Sequence, residues 1–188
     1  AQLNVPDQIA VGFNHQQHNR YQSPITGEWR NGDDIERILV RAIDSAEREI
    51  LLAVQELSAP TIANALIAAK QRGVNVQVVL ENTYSTPWTE QTPSQLKPQQ
   101  RQRWHQLVQL ADQNRDGATT PEEAKLGDAI GLLRDQGIPI VDDTEDGSRG
   151  SGLMHHKFVV IDRMVVLTGS ANFTRSGMHG DANRIKTR

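Results

Sequence analysis

Residues 155–172 read HHKFVVIDRMVVLTGSAN, and this stretch decides the fold. It contains two apolar runs of strand length, residues 157–161 and 164–168, which are separated only by Asp162 and Arg163. Runs rich in β-branched residues with a short polar connection predict two neighbouring β-strands. Polar residues lie before the first strand and after the second, so we expect them to meet at one end of the pair.

The polar residues at that end form two pairs with the same spacing. His155 and Lys157 are two residues apart, and so are Ser170 and Asn172, which follow the turn-forming Gly169. Side chains two apart on a strand lie on the same face, so strands in register would gather these groups around one small anion. A phosphodiester fits this set, because an imidazole can attack phosphorus while the ammonium, amide and hydroxyl stabilise the non-bridging oxygens. This chemistry requires no metal when side chains supply the positive charge.

The segment before this stretch alternates strands and helices. Residues 49–55 and 74–80 are apolar runs that predict strands, and residues 60–72 between them predict a helix. Strand, helix and strand at this spacing predict a βαβ unit with a parallel sheet. A further helix is predicted before the unit, with Asp33 as its N-cap and Glu36 completing a capping box. The expected fold is α/β, with a mixed or parallel sheet flanked by helices.

Residues 83–124 interrupt this alternation and are predicted to fold as an inserted helix–loop–helix. The insertion contains a helix predicted at 98–111 and the beginning of a second helix predicted at 121–136. A short strand at 138–141 then resumes the sheet. We therefore expect one domain over residues 1–188 that contains this insertion.

The loop inside the insertion matches an EF-hand calcium loop. Its residues fall at the ligand spacing of such a loop, with a glycine at the sharp turn and a closing glutamate. The predicted calcium ligands are Asp112, Asn114, Asp116, Ala118 (through its carbonyl oxygen), Thr120 and Glu123. Calcium is expected to order the insertion and to stay outside the chemistry. The alternative is a polar turn between two helices, since no second EF-hand accompanies this one.

The complete motif resembles the signature of the phospholipase D superfamily, which is His, any residue, Lys, four residues, Asp, six residues and Gly-Ser-any-Asn. Every fixed position of the signature is filled, and the residues that fill it are His155, Lys157, Asp162, Gly169, Ser170 and Asn172. The predicted βαβ unit and the strand before the motif also resemble that fold. The resemblance covers most of the chain outside the insertion.

This resemblance implies a specific mechanism. Two motifs face each other, one histidine forms a covalent phosphohistidine, and the other protonates the leaving oxygen and then activates water. By the same resemblance His155 is nucleophile or acid, Lys157 and Asn172 bind the phosphate, Ser170 lies nearby, and Asp162 supports the turn. The sequence holds one motif only. The second motif is expected from a twin subunit in a homodimer or from another half of a longer chain.

Other polar residues are given weaker roles. His156 alternates with its neighbours, so it is expected on the opposite face, in the core or behind the site. Glu56, Glu81 and Asn82 follow predicted parallel strands, where α/β sites gather, and are expected at most behind the site. Arg103 on the insertion helix is expected on a solvated face or against an anionic substrate.

Composition limits the choice of substrate without deciding it. The chain has 188 residues, no cysteine, 4% aromatic residues and a net charge of −3, so it has no overall basic field and few rings for stacking on bases. Nucleic acid is the first expected substrate, because single-motif members of the superfamily resemble dimeric nucleases; phospholipid is the rival. A calcium-binding scaffold with a silent site is the alternative from another class. No apolar run is long enough to span a membrane, so a soluble protein is expected, with the secreted and periplasmic compartments left open.

Overall fold

The computed structural model describes residues 9–144 and 152–180. Its strands are β1 (Arg20–Gln22), β2 (Trp29–Asn31), β3 (Glu49–Val54), β4 (Asn75–Leu80), β5 (Ile140–Asp142), β6 (Lys157–Ile161) and β7 (Val165–Thr168). Its helices are α1 (Ile35–Asp44), α2 (Pro60–Gln71), α3 (Pro98–Ala111), α4 (Pro121–Gly127), α5 (Ala129–Asp135) and α6 (Arg175–His179). Three single-turn 3₁₀ helices, Asn82–Tyr84, Trp88–Glu90 and Pro93–Gln95, connect β4 to α3.

A five-stranded mixed sheet forms the centre of the fold, in the order β5-β4-β3-β6-β7. The strands β3, β4 and β5 run parallel to each other, whereas β6 is antiparallel to both β3 and β7. The predicted βαβ unit is confirmed as β3-α2-β4, and the predicted strands of residues 155–172 are confirmed as the hairpin β6-β7. The α/β fold with a mixed sheet flanked by helices is therefore confirmed.

The core lies between the central strands and the helices packed against them. Alternate residues of β3, among them Ile50, Leu52 and Val54, are buried, as strand periodicity requires. Helix α2 contributes Ile62 and Leu66 to the same cluster, and α1, α5 and α6 contribute further buried residues, including Ile43, Leu133 and Met178. Full burial of such side chains contributes roughly 1.5–3 kcal/mol each, which fixes β3 and β6 in the middle of the sheet.

The predicted N-cap of α1 is wrong by one residue. Asp34 caps the helix by accepting a hydrogen bond from the Arg37 backbone N–H (3.0 Å). The Asp33 carboxylate instead accepts from the Phe13 backbone and from the side chains of Gln16 and Asn19, at 2.6–2.8 Å. The predicted capping box fails as well, because the Glu36 side chain turns into the core.

The helix predicted at 121–136 is broken at Asp128 into α4 and α5. The Asp128 carboxylate caps α5 through the Gly131 backbone N–H and accepts two hydrogen bonds from Thr89, at 2.9 and 2.8 Å. Asp128 is only 1% exposed, so its carboxylate needs hydrogen-bond partners within the protein. The bonds to Thr89, which is distant in sequence, therefore determine the structure here, and the helix is interrupted although its apolar periodicity continues. Gly127 at the end of α4 packs so closely on Ala111 that an added Cβ would lie 2.6 Å from the alanine Cβ.

Helices α3 and α4 are joined by the loop of residues 112–120 and pack on a small apolar cluster. That residues 83–124 form an insertion stays a prediction. Trp88, Leu107 and Ala111 are buried in this cluster. The rings of Trp88 and Trp104 meet edge to face at 6.2 Å, and the Trp104 indole N–H donates to the Trp88 carbonyl (3.0 Å). Between β5 and β6, residues 145–151 lie outside the described residues, which resume at Gly152.

Candidate active site

The site lies at one end of the sheet, where β3 ends and β6 begins. The register pairs Val54, the last residue of β3, with Lys157, the first residue of β6. One residue further on, the Gln55 backbone N–H donates to the His156 carbonyl (2.9 Å). The chain after β7 returns to the same place, where the Phe173 backbone N–H donates to the Glu56 carbonyl (3.1 Å). Both halves of the motif therefore border the segment that follows β3.

Lys157 is buried at this junction, with only 7% of the residue exposed. Its ammonium donates to the His155 carbonyl (3.0 Å) and to the Gln55 side-chain Oε1 (3.3 Å). Burial lowers the pKa of Lys157 below the ordinary lysine value, because the charged form loses its hydration. A poorly hydrated cation of this kind attracts an anion more strongly than a surface lysine does.

Asn172 reaches the same acceptor from the other side. Its Nδ2 donates to Gln55 Oε1 over 3.3 Å. Its Oδ1 is buried and has no hydrogen-bond partner among the described residues. The structure thus brings Lys157 and Asn172 together, as the motif predicted, and it does so through a residue that lies outside the motif.

His155 and Ser170 lie at the rim of this arrangement. Both residues are exposed. Strand β6 begins at Lys157, so His155 lies just before the strand. Strand alternation therefore does not by itself place the side chains of His155 and Lys157 on one face. The exposed imidazole of His155 is accessible to a substrate that approaches from solvent. The prediction that all four side chains surround one anion stays a prediction.

His156 is exposed and packs its ring edge to face against Phe158, with the ring centroids 5.7 Å apart. The expectation of a core position is therefore wrong for this residue. The backbone of His156 contributes instead, because its carbonyl anchors Gln55.

Asp162 lies at the opposite end of β6, in the turn before β7. Its carboxylate accepts hydrogen bonds from the backbone N–H groups of Glu47, Arg48 and Glu49, at 2.7–2.9 Å. These bonds, led by the one from Glu47, lower the pKa of the Asp162 carboxyl. A strand of this length spans roughly 16 Å, so Asp162 fastens the β6–β7 turn to the start of β3 and lies far from Lys157.

A match to known proteins agrees with this geometry. The family model described as "Cardiolipin synthase, PLD-like domain" matches residues 39–185, which include β3, β4, β6, β7 and the whole motif. The chain belongs to this phospholipase D-like family.

Two curated relatives illustrate the family. The mitochondrial cardiolipin hydrolase of Xenopus laevis is 30% identical over 149 residues, which are 79% of this chain and 50% of the relative. The phospholipase D of Rickettsia prowazekii is 28% identical over 149 residues, 79% of this chain and 52% of the relative. The phospholipase D-like chain thus spans about half the length of these curated relatives.

One solved structure matches over a similar share of the chain. It is Nuc from Salmonella typhimurium, described as a phospholipase D family member. The two are 25% identical with a TM-score of 0.46, and the match covers 77% of this chain and 68% of that one.

Sequence reasoning on the phospholipase D-like motif missed Gln55. It was assigned only to the end of a predicted strand, yet it is buried (8% exposed) and accepts from both Lys157 and Asn172. One signal in the sequence pointed to it: a polar residue ends an otherwise apolar run, at the strand end where α/β sites form.

The insertion reaches the neighbourhood of the site through Glu56. Arg103 of α3 pairs with the Glu56 carboxylate (Nε–Oε1 2.7 Å), and its guanidinium lies over the Tyr84 ring, 4.9 Å from the centroid. Arg175, at the start of α6, donates to the Leu110 carbonyl of α3 (3.2 Å). Arg103 is therefore a structural contact between the insertion and the domain, which corrects the expectation of a solvated face.

The predicted calcium loop is closed by its own hydrogen bonds. Asp112 Oδ2 accepts from the Gly117 backbone and Asp116 Oδ1 from the Ala118 backbone, each at 2.9 Å. The carboxylate of Glu123 accepts from the backbones of Gln113, Asn114 and Thr120.

These bonds use the oxygens that a calcium ion would need. Hydrogen bonds from Thr120, followed by those from Gln113 and Asn114, lower the pKa of Glu123. Within residues 9–144 and 152–180, no three His, Cys, Asp or Glu side chains are gathered for a metal ion. Asp112 Oδ1, however, is buried without a hydrogen-bond partner there.

Among residues 9–144 and 152–180, no helix is long and apolar enough to cross a membrane.

Proposed function

We propose that this chain provides one half of a phosphodiesterase site that hydrolyses its substrate through a phosphohistidine. The observation that carries the proposal is the joint placement of Lys157 and Asn172 on Gln55 beside the exposed His155, within a complete phospholipase D motif. Family membership supports the reaction class. Since the chain covers only about half of its curated relatives, the activity of the whole protein belongs to the proposal.

In the proposed reaction, His155 attacks phosphorus and forms a P–N bond while the bond to the leaving oxygen breaks. The leaving oxygen takes its proton from the second motif's histidine. Water, deprotonated by that histidine, then cleaves the P–N bond and releases the phosphate product. Lys157 and Asn172 hold the non-bridging oxygens as negative charge builds on them, and Ser170 donates from the rim. Asp162 takes no part in these steps and keeps the β6–β7 turn in place.

The second histidine is proposed to come from a twin subunit, with another half of a longer chain as the alternative source. A symmetric dimer would place the same residue on both sides of the substrate.

Nucleic acid is the first substrate proposed. The reason is that the chain has a single motif, and single-motif members of the superfamily resemble dimeric nucleases. A phospholipid headgroup ester is the second candidate, and the names of two curated relatives, a cardiolipin hydrolase and a phospholipase D, support it. The net charge of −3 gives no general attraction for nucleic acid, but it does not favour an anionic lipid either.

The test is hydrolysis of bis(p-nitrophenyl) phosphate by the wild-type chain and by His155→Ala. Loss of one nucleophile is expected to reduce kcat by about a thousandfold or more. His105→Ala, an exposed histidine on α3, is the matched control and is expected to keep full activity. Equal rates in His155→Ala and the wild type would end the catalytic assignment. Parallel assays with single-stranded DNA, RNA and cardiolipin vesicles then decide between the substrate classes.

We also propose that the loop from Asp112 to Glu123 binds calcium. The unpartnered, buried Oδ1 of Asp112 supports this, because a buried carboxylate oxygen without a donor is costly and a cation would satisfy it. The ion would have to replace the backbone hydrogen bonds that Glu123 and Asp116 now accept, so binding is expected to rearrange the loop.

Calorimetry with calcium tests this second proposal. The wild-type chain is expected to bind and Glu123→Gln to lose binding, whereas Glu122→Gln, the adjacent acid in the first turn of α4, is expected to bind normally. Absence of heat and of any stabilisation by calcium in the wild type would refute the EF-hand interpretation.

A further inference from the structure

We propose that Gln55 is a positioning residue, which sets the direction of both the Lys157 ammonium and the Asn172 amide. The inference rests on the proposed phosphodiesterase function, since it assigns a role within that site. Gln55 lies outside the motif, and it acts through the two residues that bind the phosphate.

The backbone holds Gln55 firmly where it has to act. It follows β3 directly, it is 8% exposed, and its N–H donates to the His156 carbonyl over 2.9 Å. Its Oε1 then accepts from Lys157 Nζ and from Asn172 Nδ2, each over 3.3 Å. A single oxygen atom thus links Lys157, at the start of β6, to Asn172, in the segment that follows β7.

The donor and acceptor inventory allows one orientation of the two amides. A lysine ammonium has three donors and no acceptor, so Gln55 must present its oxygen to Lys157. Asn172 must in turn present its NH₂ group to that oxygen, because its own oxygen would be repelled. The Asn172 Oδ1 is consequently directed away from Gln55 and left without a partner among the described residues. Lys157 therefore determines the orientation of Asn172, and Gln55 transmits it.

A neutral acceptor is well suited to this position. Among the described residues, the Lys157 ammonium donates to two neutral oxygens, those of the His155 carbonyl and the Gln55 side chain, and burial lowers its pKa. The titratable groups next to Lys157 and Gln55 in the sequence are His155, His156 and Glu56. Of these, Glu56 is already paired with Arg103. Gln55 holds the ammonium in place and leaves its positive charge available to the substrate. A glutamate at the same position would neutralise it.

Replacing the neutral acceptor of Gln55 by a charged one, or removing it, is expected to shift the pKa of Lys157 in opposite directions. Gln55→Glu keeps the acceptor but adds a negative charge, which raises the pKa of Lys157 and repels the phosphate. The basic limb of the pH profile of kcat/KM is expected to move to higher pH, and KM to rise about tenfold. Gln55→Met removes the acceptor, which lowers the pKa of Lys157 further and releases Asn172. Its basic limb is expected to move to lower pH, and kcat to fall about tenfold.

The experiment combines these profiles with a titration of the Lys157 side chain by NMR in protein labelled at lysine. Gln77→Glu is the matched control, because Gln77 is an exposed glutamine on the neighbouring strand β4. It is expected to leave the profile and the Lys157 titration unchanged. Circular dichroism checks that each variant is folded.

Shifts of the Lys157 pKa upward in Gln55→Glu and downward in Gln55→Met support the proposal. An unchanged Lys157 titration in both folded variants overturns it, whether or not the chain is active. If the wild type itself cleaves no phosphodiester while the Lys157 pKa moves as expected, the proposed function fails and the positioning role of Gln55 stands. If either variant fails to fold, Gln55→Asn replaces it, and an unchanged Lys157 pKa in that shortened amide also overturns the proposal.

Discussion

Lys157 and Asn172 meet on one oxygen atom, since each donates a hydrogen bond to Gln55 Oε1 over 3.3 Å. The two residues belong to separate halves of the motif, on either side of the β6–β7 hairpin. The β6–β7 hairpin returns the chain to the end of β3, where Gln55 lies.

Removing the Asp162 carboxylate should destabilise the fold without removing a reacting group. In Asp162→Ala three backbone N–H groups before and in β3 lose their acceptor, so the melting temperature at neutral pH is expected to fall. The pKa of Asp162 is lowered in the folded state, so its contribution is present above the ordinary aspartate pKa and is lost as the pH falls through the folded-state pKa. Thermal melts of both proteins across the acid range measure this.

The control for that experiment is Asp135→Ala, which breaks only an exposed pair with Lys125. Its melting temperature should match the wild type at all pH values. A melting temperature of Asp162→Ala equal to that of the wild type at neutral pH would contradict the supporting role.

Glu36 and His179 form a buried pair that ties α1 to α6, with Oε2 and Nε2 2.8 Å apart. Burial alone would raise the pKa of Glu36, but the hydrogen bond and charge of His179, with smaller contributions from Thr61 and Arg175, lower it overall. Glu36→Gln is expected to cost about 2 kcal/mol in free energy of unfolding at neutral pH. Urea denaturation measures this cost.

The Glu36 contribution is present above the ordinary glutamate pKa and disappears as the pH falls through the lowered, folded-state pKa. The difference between wild type and Glu36→Gln should therefore shrink in acid. Glu47→Gln, an exposed glutamate, is the control and should be neutral. A cost that is constant down to strongly acidic pH would argue against the pair as its origin.

Asp128 joins the insertion to α5, and its loss should be costly because it is buried and accepts three hydrogen bonds. Asp128→Ala removes the helix cap and leaves the Thr89 donors unpaired, so we expect a loss of about 2–3 kcal/mol in free energy of unfolding. Chemical denaturation gives the value. Asp44→Ala, at the exposed end of α1, should stay within about 0.5 kcal/mol of the wild type, and a similar small effect in Asp128→Ala would contradict this structural role.

A site shared between two chains predicts interference in mixtures. If the second histidine comes from a twin subunit, equal amounts of wild-type and His155→Ala chains leave about a quarter of the dimers intact after exchange. Activity should then be about half of that from the same amount of wild-type chain alone. Tagged chains report whether exchange has occurred, and an unchanged rate after complete exchange would contradict a shared site.

The sequence was sufficient to predict the elements of the fold that depend on local pattern. The strands β3, β4, β6 and β7 and the helices α2 and α3 follow directly from apolar periodicity. The helix predicted at 121–136 failed because Asp128 bonds to Thr89, a residue distant in sequence that periodicity cannot identify. Asp33 failed as a cap for the same reason, since its partners lie in the segment before β1.

The site was predictable to the extent that its residues belong to one contiguous motif. Lys157 and Asn172 lie close together, as their motif predicts, because the hairpin brings their ends together. Their phosphate-binding role stays a prediction. Gln55 was missed because its role arises only when β3 pairs with β6, and a single glutamine at a strand end carries no chemical pattern of its own. Arg103 was assigned to solvent because its partner Glu56 comes from a different element.

The covalent intermediate on His155 is the most direct test of the central claim. Rapid acid-free quenching during turnover of a slow phosphodiester, followed by peptide mass spectrometry, should find a phosphoryl adduct on the peptide that contains His155. The adduct should be absent from His155→Ala and present in His105→Ala. Turnover that proceeds with no adduct on His155, or with an adduct on another residue, would contradict the account.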